Sequence, residues 1–413
     1  MIPKKTYTLN LTNPVIPNIS LFFIVLGIFP FMPEKITDLS FVIGFLALFI
    51  RYFKFKERPE CFKIKDWWPI IGMLVYIVVL IAVSQFSIDV HRSTNVAYNY
   101  FKYMKPAFYV IILMNNNISS YRFVFYGLAI GTCGICLGSD NLIFQYLNNQ
   151  AHYQYDMHRN MVADIFILMI PCTILYIQRF SKYVLEKIVW SFLFVLYLFT
   201  LYCSQSRGAV LALLTLSGCF FAWYCAHKRV NKKKILIAVS VAMAILAGGI
   251  AVTPTDNHLI DIGKAVQFST TPIDKYSEKA RIYLYEGTID LIKDYPITGV
   301  GLDNFNKVYD ANYMVKGAVE KDLPHAHNFI LAILSTTGAI GLLGFLFMEG
   351  QYFIFFIKYR SSATAVCGLF CLLVLLVHDF VDYSFSVYLV SKLYWIILIT
   401  CYSSISMEVY HNK

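Results

Sequence analysis

The sequence predicts an all-α integral membrane protein with about twelve transmembrane helices. Of its 413 residues, 58% are hydrophobic and only 15% are charged, which lies outside the usual composition of soluble domains. Apolar runs of about 18 or more residues recur along the chain, and a run of this length can cross the hydrocarbon of a bilayer as a helix. The 30 tyrosines and 34 phenylalanines suit a chain that crosses both membrane interfaces many times.

Twelve apolar segments are predicted as spanning helices, and the only long polar stretch separates the ninth from the tenth. The chain therefore divides into helices 1–9 within residues 1–253, a loop at residues 254–326 and helices 10–12 within residues 327–413. The twelve segments are residues 14–33, 37–53, 66–86, 98–115, 121–138, 160–178, 187–205, 208–226, 235–253, 328–357, 363–381 and 386–405.

The orientation follows from the basic loops, because Lys and Arg concentrate on the cytoplasmic side of membrane proteins. With twelve spans these loops share one side, so we expect both termini in the cytoplasm and the 254–326 loop outside. Lys4 and Lys5 precede the first apolar run, which lacks a small-residue cleavage site and is expected to remain as an anchor. The other basic loops contain Arg51, Lys54, Lys56, Arg58, Lys63, Lys65, Arg179, Lys182, Lys187, Lys228, Arg229, Lys232, Lys233, Lys234, Lys358 and Arg360.

The 254–326 loop is predicted to contain an amphipathic helix over Lys275–Asp294, which Pro296 and the glycines of Gly299–Gly301 would end. A loop of this length between helices is usually functional. The residues that recur at helical spacing, and that we expect on its apolar face, are Ile282, Tyr285, Ile289 and Ile292.

Composition also limits the function. The net charge of +10 does not indicate nucleic-acid binding, since most of it is expected in cytoplasmic loops. Nearly all of the ten cysteines lie inside apolar runs and the 254–326 loop has none, which argues against a disulfide framework. Cys133 and Cys136 have CxxC spacing, but no other candidate ligand accompanies them. We predict no metal and no cofactor.

Five basic residues are expected on the outer side, where positive charge is disfavoured. Arg207 is the most informative, since only the polar turn Ser204–Gly208 separates two apolar runs there. A single arginine can snorkel to lipid phosphate or pair with a loop carboxylate. Several cations favour a shared anionic ligand such as a lipid diphosphate, because Arg presents a planar fork to phosphate and Lys a point charge. The five residues are Lys102, Lys105, Arg159, Arg207 and Arg281.

A titratable side chain, His327, lies where the loop meets the tenth apolar run. Histidine is the commonest general base, and the alternative is a histidine that caps the loop at the interface. His325 precedes it by two residues, is not on the same helical face and has no assigned role. Gly338, Gly341 and Gly344 are predicted to hold the His327 helix close to a neighbour. Near the outer end of the eleventh apolar run lie His378, Asp379 and Asp382, whose carboxylates could orient His327 or pair with an arginine; the alternative is a plain interface role.

The run His327–Asn328, nine further residues, then Gly338 and Gly341 together resemble the histidine signature of bacterial O-antigen ligases, which share a superfamily with O-antigen polymerases. The motifs that carry the resemblance span about residues 200–345. Elements similar to the family's membrane-boundary arginine and to its long periplasmic loop are Ser206–Gly208, Arg281, Asp294–Pro296 and Gly299–Gly301.

The resemblance implies a GT-C-like, metal-independent glycosyltransferase of the bacterial inner membrane, with a periplasmic site and short helices in the long loop. The donor would be polysaccharide on undecaprenyl diphosphate, and the acceptor a sugar hydroxyl of lipid A–core, as in lipopolysaccharide biosynthesis. His327 would be the general base, and Arg207 and Arg281 would hold and stabilise the diphosphate. The further substrate-binding candidates are Arg159, Lys102, Lys105, Asn328 and Asp382.

Two other functions stay open. An O-antigen polymerase would use the same donor but another lipid-linked repeat unit as acceptor; the spacing of the His327 signature and the tight Ser206–Gly208 turn favour the ligase. A transporter for a lipid-linked sugar would bind through the same cations without a base. It would be expected to carry charges at mid-membrane depth, whereas the charges here cluster at the outer ends.

Overall fold

The protein, described here from a computed structural model, is helical, and no strand occurs in its described residues. The structure describes residues 15–57, 59–115, 118–137, 159–204, 206–227, 278–316, 318 and 321–411. The α-helices are α1 (Val15–Leu26), α2 (Lys35–Phe55), α3 (Trp68–Ser84), α4 (Val90–Leu113), α5 (Ile118–Leu137), α6 (Arg159–Leu175), α7 (Val184–Cys203), α8 (Arg207–His227), α9 (Glu278–Asp294), α10 (Phe305–Val308), α11 (Phe329–Lys358), α12 (Ala363–His378) and α13 (Tyr388–His411).

Six of the described helices are long and apolar enough to cross a membrane: α2, α5, α6 with the turn that extends it to Phe180, α7, α11 and α13. Helices α1, α3, α8 and α12 are apolar but shorter. Every predicted segment overlaps a helix except 235–253, which lies outside the described residues. The all-helical prediction is therefore confirmed. The count of twelve spans, the GT-C-like architecture and the division at residues 253 and 326 stay predictions.

Helix α13 lies at the centre of the bundle. Of its apolar stretch 94% is buried, whereas only 17% of the corresponding stretch of α2 is buried. Helix α13 packs against α4, α6 and α12. Helix α2 is peripheral, and its uncovered apolar face is suited to lipid.

Helix α4 begins at Val90, well before the predicted start at residue 98. The side chain of Asp89 caps it by accepting a hydrogen bond from the Arg92 N–H at 3.0 Å. Its first turns bind the segment that follows α9: Ser93 Oγ donates to Leu302 O at 2.9 Å, and Arg92 Nε donates to Asp303 Oδ2 at 2.6 Å. Hydropathy did not predict this early start because the first turns of α4 are polar. Hydrogen bonds to the segment that follows α9 stabilise them.

Helix α9 ends where predicted, but its buried face is not the predicted one. Ile282 and Ile289 are 50% and 45% exposed. Gly287 lies against the backbone of Tyr313, where a Cβ would have no room. Close approach through this small residue turns a different face inward. The residues buried on that face are Leu284, Thr288 and Leu291.

Helix α11 is kinked at Gly338, whose φ of 64° and ψ of −166° are open almost only to glycine. The kink is joined to the segment after α9 by backbone hydrogen bonds, including Ala339 N–H to Pro296 O at 2.9 Å and Val300 N–H to Ser335 O at 2.9 Å. The prediction that these glycines hold the helix close to a neighbour is confirmed for Gly344 and, against the segment after α9, for Gly338, but not for Gly341. Gly344 does face Val79 of α3, but Gly341 faces a threonine of its own helix.

Replacing Gly338 with alanine should destabilise the protein by about 1–3 kcal/mol, because the required backbone is strained for an L residue. The added Cβ would also clash with the backbone of Ile297. Gly350→Ala is a matched control in the same helix, since nothing lies within 4 Å of its Cβ position. Thermal unfolding in detergent measures the difference, and equal unfolding temperatures for the two variants would contradict the assignment.

Candidate active site

His327 has an unusual backbone conformation just before α11. Its φ of 47° is in the left-handed region, which costs an L residue roughly 1–2 kcal/mol. Its N–H donates to His325 Nδ1 at 3.2 Å, and its carbonyl oxygen accepts from the Tyr285 hydroxyl at 3.0 Å. Asn328 follows as the N-cap of α11, with Oδ1 accepting from the Leu331 N–H at 3.1 Å. Side chains therefore hold this turn from both sides.

The imidazole of His327 is paired with a carboxylate. Its Nδ1 lies 3.2 Å from Asp382 Oδ1, and the side chains are 27% and 12% exposed. Asp382 also accepts from Asn160 Nδ2 at 2.7 Å and from the Tyr383 N–H at 2.9 Å. A carboxylate at Nδ1 favours the tautomer that carries its proton there and leaves Nε2 free as a base.

The carboxyl group of Asp382 is kept ionised by its surroundings. Burial acts to raise its pKa, but the hydrogen bond from His327 and the charges of His327 and His325 outweigh burial. The pKa of Asp382 consequently lies well below its usual range. The pair thus has the form in which an acid orients a histidine and stabilises the imidazolium that forms when the histidine takes up a proton.

Arg207 precedes Gly208, which packs against the segment that carries Asp382. It is the first residue of α8 and is exposed. A Cβ on Gly208 would lie 2.7 Å from Val381 Cγ2 and 3.2 Å from His378 Nε2, so this turn packs directly on the segment that carries Asp382. Among the described residues Arg207 has no ion-pair partner, which leaves its guanidinium open to an anion.

Arg281 reaches the site on α9. It lies four residues before Tyr285, on the same face of the helix and about one turn away. Because the Tyr285 hydroxyl is bonded to the His327 carbonyl, the docking of α9 also carries Arg281 towards the histidine. Arg281 is partly buried and forms no ion pair within the described part of the chain.

The remaining predicted cations differ in position. Arg159 begins α6 beside Asn160, the partner of Asp382, but its side chain lies outside the described residues. Lys105 forms an ion pair with Asp38 at 2.7 Å, and Lys102 lies over the ring of Tyr98. We expected these two lysines at the end of the helix. Because α4 begins at Val90, earlier than predicted, they lie inside it. The contact of Lys105 connects it to α2, that of Lys102 lies within α4, and neither contact involves His327.

A second polar cluster is buried behind the first. His378 Nδ1 lies 2.6 Å from Asp164 Oδ1 and 3.9 Å from Asp379 Oδ1, and the three side chains are at most 1% exposed. Asp379 Oδ1 accepts from the Ser384 N–H, and its carbonyl accepts from the Phe329 N–H. This cluster therefore fixes the segment between α12 and α13 against the start of α11.

Sequence reasoning missed several of these residues. Helical spacing predicts Tyr285 only as part of an apolar face, and no prediction includes Asn160. Asp164 gave a usable signal, since a carboxylate inside an apolar run needs a partner. No local pattern pointed to Asn160 or to the Tyr285 hydroxyl, because their partners are far away in the chain.

Three groups within the described residues could offer metal-ligand atoms that lie within 4.8 Å of one another. Two are the clusters above, with ligand atoms from His325, His327 and Asp382 in one and from Asp164, His378 and Asp379 in the other. In the first, His327 is hydrogen-bonded to Asp382, whereas in the second the buried atoms Asp164 Oδ1, His378 Nδ1 and Asp379 Oδ2 have no hydrogen-bond partner among the described residues. The predicted absence of a metal stays a prediction. The third group is Cys172, Cys367 and Cys371.

The fold and site define a multi-pass helical membrane protein with a histidine–carboxylate pair in the segments next to the helix ends. Residues 192–346 match the family model described as O-antigen ligase, and this match supports a relationship of the chain to the O-antigen ligase family. The matched region contains Arg207, Arg281 and His327, while Asp382 lies beyond it. No curated protein matches the chain.

Proposed function

We propose that this protein is an O-antigen ligase of the bacterial inner membrane. It transfers polysaccharide from undecaprenyl diphosphate to a sugar hydroxyl of lipid A–core, at a site on the periplasmic side, with both termini in the cytoplasm. The observation that carries the proposal is the His327–Asp382 pair beside the Arg207 turn and the Arg281 helix, within a chain that matches this family's model.

The chemistry is a displacement at the anomeric carbon of the donor. His327 Nε2 takes the proton of the acceptor hydroxyl while that oxygen bonds to the anomeric carbon. The bond from this carbon to the phosphate oxygen breaks, and undecaprenyl diphosphate leaves with the electron pair. Asp382 stabilises the imidazolium until its proton passes to the leaving diphosphate or to water. Base catalysis of this kind contributes about 10²–10⁴-fold.

Negative charge grows on the diphosphate as the bond breaks. Arg207 and Arg281 are the groups that bind it, since each presents a planar fork of donors and neither has an ion-pair partner among the described residues. Preorganised donors aimed at developing charge contribute roughly 3–4 kcal/mol each. The arginines fill a role for which other enzymes use Mg²⁺, so the reaction is proposed to be metal-independent. Arg159 is a third candidate, whereas the contacts of Lys102 and Lys105 leave these lysines outside the proposed site.

The test is complementation of cells that make lipid-linked O-antigen but lack their own ligase. The wild-type chain should restore polysaccharide-bearing lipopolysaccharide, and His327→Ala should leave lipid A–core bare while long lipid-linked chains accumulate. If the protein is instead a polymerase, cells lacking their own polymerase should regain long chains in place of a single repeat unit on the core. Unchanged lipopolysaccharide in both hosts would contradict both enzymatic functions.

Removing either arginine should weaken donor use. Arg207→Gln and Arg281→Gln are each expected to lower kcat/KM by about 10²-fold, because each removes one charge-assisted contact to the diphosphate. Arg360→Gln, at the opposite end of α11, is the control and should have no effect. The assay is run in EDTA, where the wild type should keep its activity. A strict Mg²⁺ requirement, or full activity of both glutamine variants, would contradict arginine binding of the diphosphate.

A transporter is the less favoured alternative. The structure does contain one acid inside α11, Glu349, which is 4% exposed and accepts a hydrogen bond from the Tyr394 hydroxyl at 2.5 Å. This contact joins α11 to α13 within the bundle core, so it is explained by packing of the two helices. A transporter would also need no histidine base, and His327→Ala would leave transport intact.

A further inference from the structure

We propose that His325 and Tyr285 are positioning residues that clamp the backbone of His327 from its two sides. The inference rests on the proposed function only for its kinetic consequences, because the clamp itself is a structural feature. It assigns a role to His325, whose position in the sequence indicated none, and to the hydroxyl of Tyr285.

The clamp consists of two hydrogen bonds to one residue. The His327 N–H donates to His325 Nδ1 at 3.2 Å, and the Tyr285 hydroxyl donates to the His327 carbonyl oxygen at 3.0 Å. Both backbone polar groups of His327 are thus bound by side chains. One comes from the same turn and the other from α9, 42 residues away in the chain.

His327 needs such support because its φ of 47° is unfavourable for a residue with a side chain. Such conformations persist where surrounding structure determines them, and they recur at functional sites. If the turn relaxed to an ordinary conformation, the imidazole would swing away from Asp382, the partner of its Nδ1 at 3.2 Å. The clamp therefore preserves the histidine–carboxylate pair and the direction of Nε2.

The role of His325 depends on one lone pair. Its Nδ1 accepts from the His327 N–H, and the ring also lies edge-to-face with the rings of His327 and Tyr383, at 4.7 and 5.5 Å between centroids. Asparagine places Oδ1 two bonds from Cβ, as histidine places Nδ1, and can accept the same bond. It cannot act as a base near neutral pH. Asparagine therefore separates a positioning role from a second catalytic histidine.

The role of Tyr285 joins the clamp to the anion-binding side of the site. Arg281 lies one turn earlier on the same helix, so α9 must dock in one position for the Tyr285 hydroxyl to reach His327 and for Arg281 to face the site. Phenylalanine removes the hydroxyl and keeps the ring. Tyr283→Phe on the same helix is the matched control.

The kinetic test compares five variants of the full-length protein with lipid-linked polysaccharide and lipid A–core as substrates. His325→Ala and Tyr285→Phe should each lower kcat roughly tenfold with little change in the donor KM, as expected for loss of one hydrogen bond. The double variant should lose more than either single variant. His325→Asn should recover most of the kcat, and Tyr283→Phe should match the wild type.

Hydrogen exchange gives a readout that needs no activity. Deuterium uptake by peptides covering residues 321–331 should be faster in His325→Ala than in the wild type and near wild type in His325→Asn. Equal uptake in all three proteins, or an inactive His325→Asn with a normal unfolding temperature, would overturn the clamp. If the wild type transfers no polysaccharide, the proposed function fails and the exchange result alone decides the clamp.

Discussion

Purified protein in which His327 is replaced by alanine should transfer polysaccharide about 10²–10⁴-fold more slowly than the wild type. The acceptor hydroxyl would keep its proton as the new bond forms, while Arg207 and Arg281 would still hold the donor. The loss should therefore appear in kcat, with the donor KM nearly unchanged. His91→Ala is the control, since His91 is exposed on α4 and contacts Asn95. A rate for His327→Ala close to the wild-type rate would contradict the proposed base.

Replacing Asp382, the partner of His327, gives a second kinetic test of the pair. Asp382→Asn keeps the size of the side chain but removes the charge that favours the Nδ1-protonated imidazole, so kcat should fall by about 10²-fold or more. The pKa of Asp382 in the folded protein lies below its usual range. The ionised carboxylate therefore stabilises the fold above about pH 4, the ordinary pKa of an aspartate. This stabilisation is lost only as the pH falls through the lower pKa of the folded state. At any working pH Asp382 is already charged. Asp382→Asn should therefore lower the rate at every pH at which the wild type is active.

The buried cluster behind the site should dominate stability. His378→Leu leaves Asp164 and Asp379 facing each other at no more than 1% exposure, and removing one partner of a buried ion pair typically costs about 3–5 kcal/mol. Because this cluster holds the segment that carries Asp382, activity should also be lost. Thermal unfolding in detergent measures the first effect. Lys293→Ala, which breaks an exposed pair with Asp290 on α9, should leave the unfolding temperature unchanged.

A second variant separates the ion pair from simple packing. If His378 is charged and paired with Asp164, the double variant His378→Leu/Asp164→Leu should recover part of the stability lost in His378→Leu, because one unpaired buried charge is removed. No recovery would indicate that the shape of His378 matters more than its charge. A wild-type unfolding temperature that falls on addition of EDTA would instead indicate a bound cation.

Much of the architecture could be predicted from the sequence because it depends on local composition. Runs of apolar residues have to become helices in hydrocarbon, so the positions of α5, α7, α11 and α12 follow from hydropathy alone. The end of α9 at Asp294 follows from the proline and glycines after it. Where local signals were weak or ambiguous, prediction failed: α4 begins in a polar stretch, and Ile282 and Ile289 have helical spacing but face outward.

Some residues of the candidate site could likewise be predicted from the sequence, and others could not. The sequence by itself predicted the resemblance to O-antigen ligases and three candidate residues, His327, Arg207 and Arg281, because each stands in a short motif. Only the tertiary structure decided that Asp382 is the partner of His327 and that Gly338 forms a kink and not a helix contact. The physical reason is distance along the chain. Asp382 lies 55 residues from His327, and such partners are chosen by how helices dock and not by any local pattern. The same docking brings the Tyr285 hydroxyl to the His327 backbone.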